Sequence, residues 1–267
     1  MKTTLLLLCL ALAVPAFSQA QPAAAPAENR DSSVTVSQSR TVDEIFNSGK
    51  KQSAQHPSKR FSGHWSGVGY GFLNFTKTPE GEWKGMEPDW SNSFVMQINF
   101  LTYGVSFVPR NNLGLVTGLG FEYQRIRFND DYFSLGKAEG NLIPIDLHAL
   151  DAKDITRSSL KSFYLTVPVM LELRLPAAKR NQFFLSAGVM GGLRIHSKTK
   201  VVYHDKEDQK HKEKKKGSFN MIPFKADAVA KIGFNHVHIW GSYSLTDMFK
   251  DNEINVRTYT IGLGVTI

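Results

Sequence analysis

From about residue 61 the chain alternates apolar residues with small or polar ones in runs of roughly a dozen, broken by polar connections. The pattern is clearest in residues 258–267, where Tyr259, Ile261, Leu263, Val265 and Ile267 fall on one side of an extended chain. Thr258, Thr260, Gly262, Gly264 and Thr266 fall on the other. A chain that ends on such a strand suits lipid on one side and a narrow interior on the other. Residues 64–75 repeat it, with Val68, Tyr70 and Phe72 opposed to Gly67, Gly69 and Gly71. Glycines weaken an ordinary strand, but inside a small closed barrel they leave room for larger side chains from across the lumen.

Six more segments read the same way. Residues 94–107 carry Phe94, Met96, Ile98 and Phe100 on one face and then Leu101, Tyr103, Val105 and Phe107 on the other, a phase change that predicts a bulge near Phe100. Residues 113–128 turn Gly118, Gly120, Glu122 and Gln124 inward. Residues 163–175 turn Glu172 and Arg174 inward and contain Pro168, which requires a local bulge. Residues 183–200, 219–233 (with Lys225, Asp227 and Lys231 inward) and 237–245 complete the set. The connections alternate long and short. The expected fold is all-β: an eight-stranded antiparallel up-and-down transmembrane β-barrel, its turns on one side of the membrane and its loops on the other. In lipid every backbone group must be paired, and a closed sheet has no edge. A water-soluble barrel would put its apolar face inside; here the charges share the glycine face. Eight strands leave an interior that side chains fill, so Glu122, Glu172, Arg174, Lys225, Asp227 and Lys231 are expected to pair across it, with no open pore.

Residues 1–20 read as a signal peptide: Lys2, an apolar run over 5–14, Pro15, then Ser18-Gln19-Ala20. The single cysteine, Cys9, lies within it, so no disulfide is expected in the exported chain. Residues 21–60, rich in Ala, Pro, Ser and Gln, are expected to be a flexible, disordered periplasmic linker with a transient helix at the Thr41/Glu44 capping box; the barrel domain spans 61–267. No later apolar run is long enough for a membrane helix. With the tail and C-terminus periplasmic, residues 204–216 form a solvated extracellular loop.

The chain's formal charge is +8, and that loop holds six of its lysines, partly balanced by Asp205, Glu207, Asp208 and Glu213. In an exported protein such basicity points to lipopolysaccharide phosphate and anionic lipid rather than to nucleic acid. Lys210, Lys212, Lys214, Lys215 and Lys216 are the candidate surface anion-binding residues. Other expected partners are outer-membrane lipid, the barrel-assembly machinery and an unidentified envelope protein. No cofactor or metal is expected: His204 and His211 fit no compact site, and His236 with His238 supply only two ligands. For hydrolysis, His148, Asp151, Ser158 and Ser159 fall in one long loop and His196 with Ser197 near the top of the fifth strand. Nothing ties any of them into a nucleophile and base.

Residues 164–173 (Tyr-Leu-Thr-Val-Pro-Val-Met-Leu-Glu-Leu), 220–224 (Asn-Met-Ile-Pro-Phe), 243–249 (Tyr-Ser-Leu-Thr-Asp-Met-Phe) and the pair 101–105 and 113–120 resemble outer-membrane barrels of Bacteroidetes-type bacteria, the PorT-like family. The resemblance covers 61–267 and implies the same fold. One class of that family is implicated in protein secretion. The chain therefore reads as a non-enzymatic integral outer-membrane barrel with a structural or surface-interaction role, or one accessory to envelope transport or secretion. The alternatives are a soluble periplasmic lipocalin-like carrier, which needs an apolar cavity, and an outer-leaflet lipid-modifying enzyme.

Overall fold

The computed structural model describes residues 61–138, 141–149, 153–176, 181–250 and 254–267. The expected signal peptide, the linker with its capping box, and Asp151 lie outside the described residues.

The strands are β1 (Gly67–Phe75), β2 (Phe94–Ser106), β3 (Leu113–Arg127), β4 (Phe133–Ala138), β5 (Asn141–Asp146), β6 (Asp154–Pro176), β7 (Gln182–His204), β8 (Lys210–Lys216), β9 (Phe224–Phe234), β10 (Val237–Ser244) and β11 (Thr258–Thr266). Eight of them are hydrogen-bonded in the order β6-β3-β2-β1-β11-β10-β9-β7, and β7 pairs back onto β6. That pairing closes an antiparallel barrel. β8 adds to β7 outside the closed ring, and β4 with β5 forms a separate hairpin.

The large apolar residues stand outside. Val68, Tyr70, Phe72, Ile98, Leu171, Ile261 and Leu263 are all exposed on the barrel wall, an arrangement that only a non-aqueous surrounding makes favourable. The glycine face lines the lumen. An added methyl carbon at Gly71 would stand 3.0 Å from the Trp240 ring, and one at Gly262 would stand 2.9 Å from its Nε1. These glycines of β1 and β11 therefore accommodate an indole from β10, close by on the wall rather than across the lumen, and Trp240 is fully buried.

The β2–β3 register shifts between Asn99 and Leu101, so Phe100 is the extra residue of the bulge that its phase change predicts. Pro168 behaves differently from expectation. Its β7 ladder runs without a shift through Pro168↔Met190, while the β3 ladder is interrupted between Thr117↔Val169 and Gly120↔Thr166. The missing N–H thus faces a gap, and no bulge is needed. The bulges between β6 and β7 lie instead at Phe163/Tyr164 and Ile155/Arg157.

Several boundaries also differ. β6 and β7 are 23 residues each, running well past the apolar band, where the expected strand over 163–175 stopped. Beyond lipid the outward positions turn polar, so the alternation that marks a membrane strand disappears while the hydrogen bonding continues. The expected solvated loop at 204–216 contains β8, paired from Lys198↔Lys216 to His204↔Lys210. β9 starts at Phe224 rather than 219, because Phe219 and Asn220 take positive φ (45° and 47°) in a turn. Residues 61–66 are not strand; they fold into the lumen ahead of β1.

Candidate functional site

The lumen is filled at three levels. At the end with the short turns, Phe61 and Trp65 from the segment before β1 pack with Val116, Met170, Met190 and Val229. The His64 backbone N–H donates to Glu172 Oε2 at 2.9 Å, its Nδ1 lies 2.8 Å from Oε1, and its ring stacks on Phe184 at 4.0 Å. Glu172 also accepts from Arg174 Nε at 2.9 Å and Ser186 Oγ at 3.1 Å. The Arg174 guanidinium lies 3.9 Å from the Phe61 ring centre. The chain before β1 is therefore a plug held by one buried carboxylate.

The middle level is polar. Lys225 on β9 bridges Glu122 on β3 and Asp227 on its own strand, the latter at 2.7 Å. Glu122 accepts further from Gln97 Nε2 at 3.0 Å and Gln124 Nε2 at 2.8 Å, and Asp227 accepts from Ser244 Oγ at 2.7 Å. Lys231 is buried without a hydrogen-bond partner, its ammonium 4.1 Å from the Trp65 ring centre. Of the six charges expected inside, five thus join networks and Lys231 rests on an aromatic face. Above them Leu73, Ile126, Phe128, Leu160 and Phe219 form an apolar cap with Phe133, Leu135 and Leu142 of the β4–β5 hairpin. Outside this cap a cavity of about 300 Å³ separates Leu135 and Ile145 from Val201, Glu213 and Lys215.

The lysines of the basic segment divide by face. Register places Lys214 opposite Lys200 and Lys216 opposite Lys198, with Lys210 and Lys212 on that same side of β8. Lys215 is paired with the buried Thr199 and faces the cavity instead. The sequence-derived group of five is therefore four residues on one face and one on the other.

The remaining candidates do not assemble. The His148 imidazole is 2.6 Å from Asp146 and stacks on Tyr132; Ser158 and Ser159 are buried on β6. Ser197 donates to the Gly217 carbonyl, and His204 and His211 contact Thr156 and Asp205 respectively. His236 bonds to the Thr266 carbonyl, and His238 to its hydroxyl. Among the described residues no group of three or more His, Cys, Asp or Glu side chains could hold a metal ion.

A family model described as an outer membrane protein beta-barrel domain matches residues 52–250. The chain belongs to that outer-membrane barrel family. Its place in the outer membrane follows from the membership and from the apolar outer wall. Among solved structures, the attachment invasion locus protein Ail of Yersinia pestis, in complex with the heparin analogue sucrose octasulfate, shares 14% identity. That match covers 75% of this chain and 97% of the other at a TM-score of 0.32, too slight a likeness to bear on a ligand. No curated protein matches the chain. What the sequence did not reveal was the plug: Phe61, His64 and Trp65 precede the alternating pattern, and only their aromatic density beside a glycine-rich strand marks them.

Proposed function

We propose that this barrel is non-enzymatic and closed, and that it acts at the cell surface through the extension built from β6, β7 and β8. The observation that carries this reading is that the lumen is occupied from end to end while two strands run far beyond the apolar band. A channel would need the reverse, an open interior and short rims. The arrangement of connections supports an orientation with both termini periplasmic and with the loop at Asp205–Asp208 outside the cell. Lys210, Lys212, Lys214 and Lys216, on one exposed face, then present an anion-binding surface to lipopolysaccharide; Lys215 contributes from the other face. The PorT-like resemblance of residues 164–173 adds an accessory role in the envelope as part of the same reading.

Two measurements test it together. The refolded chain in a planar lipid bilayer is expected to pass no stepwise ion current. In intact cells a membrane-impermeant thiol reagent is expected to label Asp208→Cys, in the extension, and to leave Asn111→Cys, in the β2–β3 turn, unlabelled. Discrete conductance steps from the unmodified chain, or the opposite labelling, would overturn the proposal.

A further inference from the structure

The outer wall changes from apolar to basic within one strand step. Tyr70, Phe94 and Tyr123 are in ring contact there (5.3 and 6.1 Å between centroids), and Phe121 stacks on Phe163 at 5.3 Å. This is an aromatic girdle of the kind that marks the hydrocarbon boundary. Directly above it, register sets Arg125 opposite Lys161, Lys161 opposite Lys198, and Lys198 opposite Lys216, across β3, β6, β7 and β8. The next row holds Lys200 opposite Lys214, with Arg157 one step further along β6. Lys161 is two residues from Phe163, about 7 Å along the strand. The Arg125 guanidinium lies 5.6 Å from the Phe94 ring centre, so the girdle itself helps hold the first cation.

These cations have no counter-charge in contact among the described residues. Among the described residues no carboxylate hydrogen-bonds to or ion-pairs with Arg125, Arg157, Lys161, Lys198 or Lys200, and the Nε atoms of Arg125 and Arg157 are buried without partners. Neighbouring Arg127 shows the contrast, its Nη2 3.1 Å from Asp131 and its Nε 3.9 Å from Asp89. Burial and then the surrounding Lys200, Arg125, Lys198 and Arg157 bring the Lys161 ammonium down to about 8, well below an ordinary lysine. Burial and the charges of Lys212, Arg157, Lys214 and Arg125 lower Lys200 in the same direction.

We propose that Arg125, Lys161, Lys198 and Lys200 form a binding site for the phosphate groups of an anionic lipid of the outer leaflet, with Lys214 and Lys216 of β8 completing its rim. The site deepens the surface-interaction reading above and rests on it for the outward orientation. Lipid is favoured over a soluble anion because the cations continue the lipid-facing side of the wall. A phosphate carried on an acyl-chain anchor meets them at that height, with its chains on Leu165, Leu193 and Ile195 below.

The test uses the full chain in detergent micelles with fluorescently labelled lipopolysaccharide, intact or enzymatically dephosphorylated. Because micelles impose no sidedness, failure here is separate from failure of the orientation test. A basic side chain at an anionic surface is worth roughly fivefold in binding, so R125Q/K161Q/K198Q/K200Q is expected to weaken binding of the intact lipid about a hundredfold or more. The control K77Q/K84Q/K137Q/K250Q, which removes as many charges from exposed residues elsewhere, is expected to stay within about twofold, since dispersed surface charge is screened by salt; K161R/K198R/K200R is expected to do the same because it keeps every positive charge of the site. Every variant is first required to keep the heat-dependent gel shift of a folded barrel. Dephosphorylated lipid is expected to bind wild type and the quadruple variant alike. Unchanged binding by the folded quadruple variant would overturn the site. So would displacement of the labelled lipid by inorganic phosphate or by a soluble sulfated polysaccharide at matched charge, which would assign the patch to a free anion or a soluble polyanion.

Discussion

The middle of the lumen offers a quantitative test, because Lys225 is a cation shared by two buried carboxylates, Glu122 and Asp227. Substituting Lys225→Met leaves Glu122 with its two glutamine donors and Asp227 with Ser244, but removes the charge that both face. Two hydrogen-bond lengths of about 2.8 Å place those carboxylates at most about 5.5 Å apart. At an effective dielectric of about 20, two like charges at that separation repel by about 3 kcal/mol. Loss of the ion pairs adds to this, giving an expected destabilisation of about 3–5 kcal/mol. Glu122→Gln and Asp227→Asn should behave differently, since each leaves Lys225 with one carboxylate and a neutral net charge; about 1 kcal/mol is expected for either. The triple variant K225M/E122Q/D227N removes the charges together and should recover most of the loss, as replacement of whole buried ion networks often does. Reversible urea unfolding in lipid vesicles, followed by tryptophan fluorescence and by mobility on unheated gels, measures all four. If Glu122→Gln or Asp227→Asn proved as costly as Lys225→Met, the idea of a shared, charge-balancing lysine would be wrong.

Three further outcomes follow from single contacts. Trp240→Ala empties the space over Gly69, Gly71 and Gly262 and should cost about 3–5 kcal/mol in the same titration; a loss below about 1 kcal/mol would mean that the wall collapses to fill it. Lys231 has no hydrogen-bond partner, so Lys231→Met, similar in volume and uncharged, should be neutral or stabilising by about 1 kcal/mol, against the usual direction for a core substitution. In the cluster above the girdle, Lys161 loses its proton as pH rises through about 8. Its amine should therefore acylate in detergent with a pH midpoint near 8, below the value of about 10.4 for a lysine side chain in a model peptide. Removing a like charge by Arg125→Gln should move the Lys161 midpoint upward, and phosphate lipid binding should weaken from pH 7 to pH 9. A Lys161 midpoint near the model-peptide value of about 10.4, measured by mass spectrometry, would refute the clustering.

What could be read from sequence was what lipid enforces. Where hydrocarbon lies outside, every second residue must be apolar, and the alternation at Val68–Tyr70–Phe72 or Ile261–Leu263–Val265 carries both the strand and the direction it faces. The Phe100 bulge was legible for the same reason, because an extra residue inverts the faces and the apolar pattern records the inversion. Beyond the membrane that constraint ends. Residues 154–162 of β6 and all of β8 are strand with polar or charged outward residues, and Lys-His-Lys-Glu-Lys-Lys-Lys has no apolar position at all. Its structure comes from the ladder with β7 and the turn closed by the Asp205 and Gln209 backbone. Pro168 misled because a local rule met a non-local answer: the ladder to β3 is already broken where the proline sits. Composition could place Lys210–Lys216 together, but only register could reveal that Arg125, Lys161 and Lys198 join Lys216 in one row.

The two charged regions of this molecule obey opposite rules, and the difference bears on what the outer row is for. In the lumen the buried carboxylates each meet an opposite charge, Glu122 and Asp227 at Lys225 and Glu172 at Arg174, as burial demands. On the wall, like charges are set directly opposite one another at Arg125↔Lys161, Lys161↔Lys198, Lys198↔Lys216 and Lys200↔Lys214. Each such pair costs about 0.2–1 kcal/mol relative to neutral neighbours, so the row opposes folding by roughly 1–4 kcal/mol unless something outside the chain neutralises it. Exposure to water alone would only screen that cost. A surface of lipid phosphates at the same height would reverse its sign, so that the barrel is most stable when seated in the leaflet that supplies them. The expected sign of the lipid effect is then fixed: phosphorylated lipopolysaccharide should raise the urea midpoint of the wild type more than that of R125Q/K161Q/K198Q/K200Q, and in phosphate-free detergent the quadruple variant should be the more stable of the two.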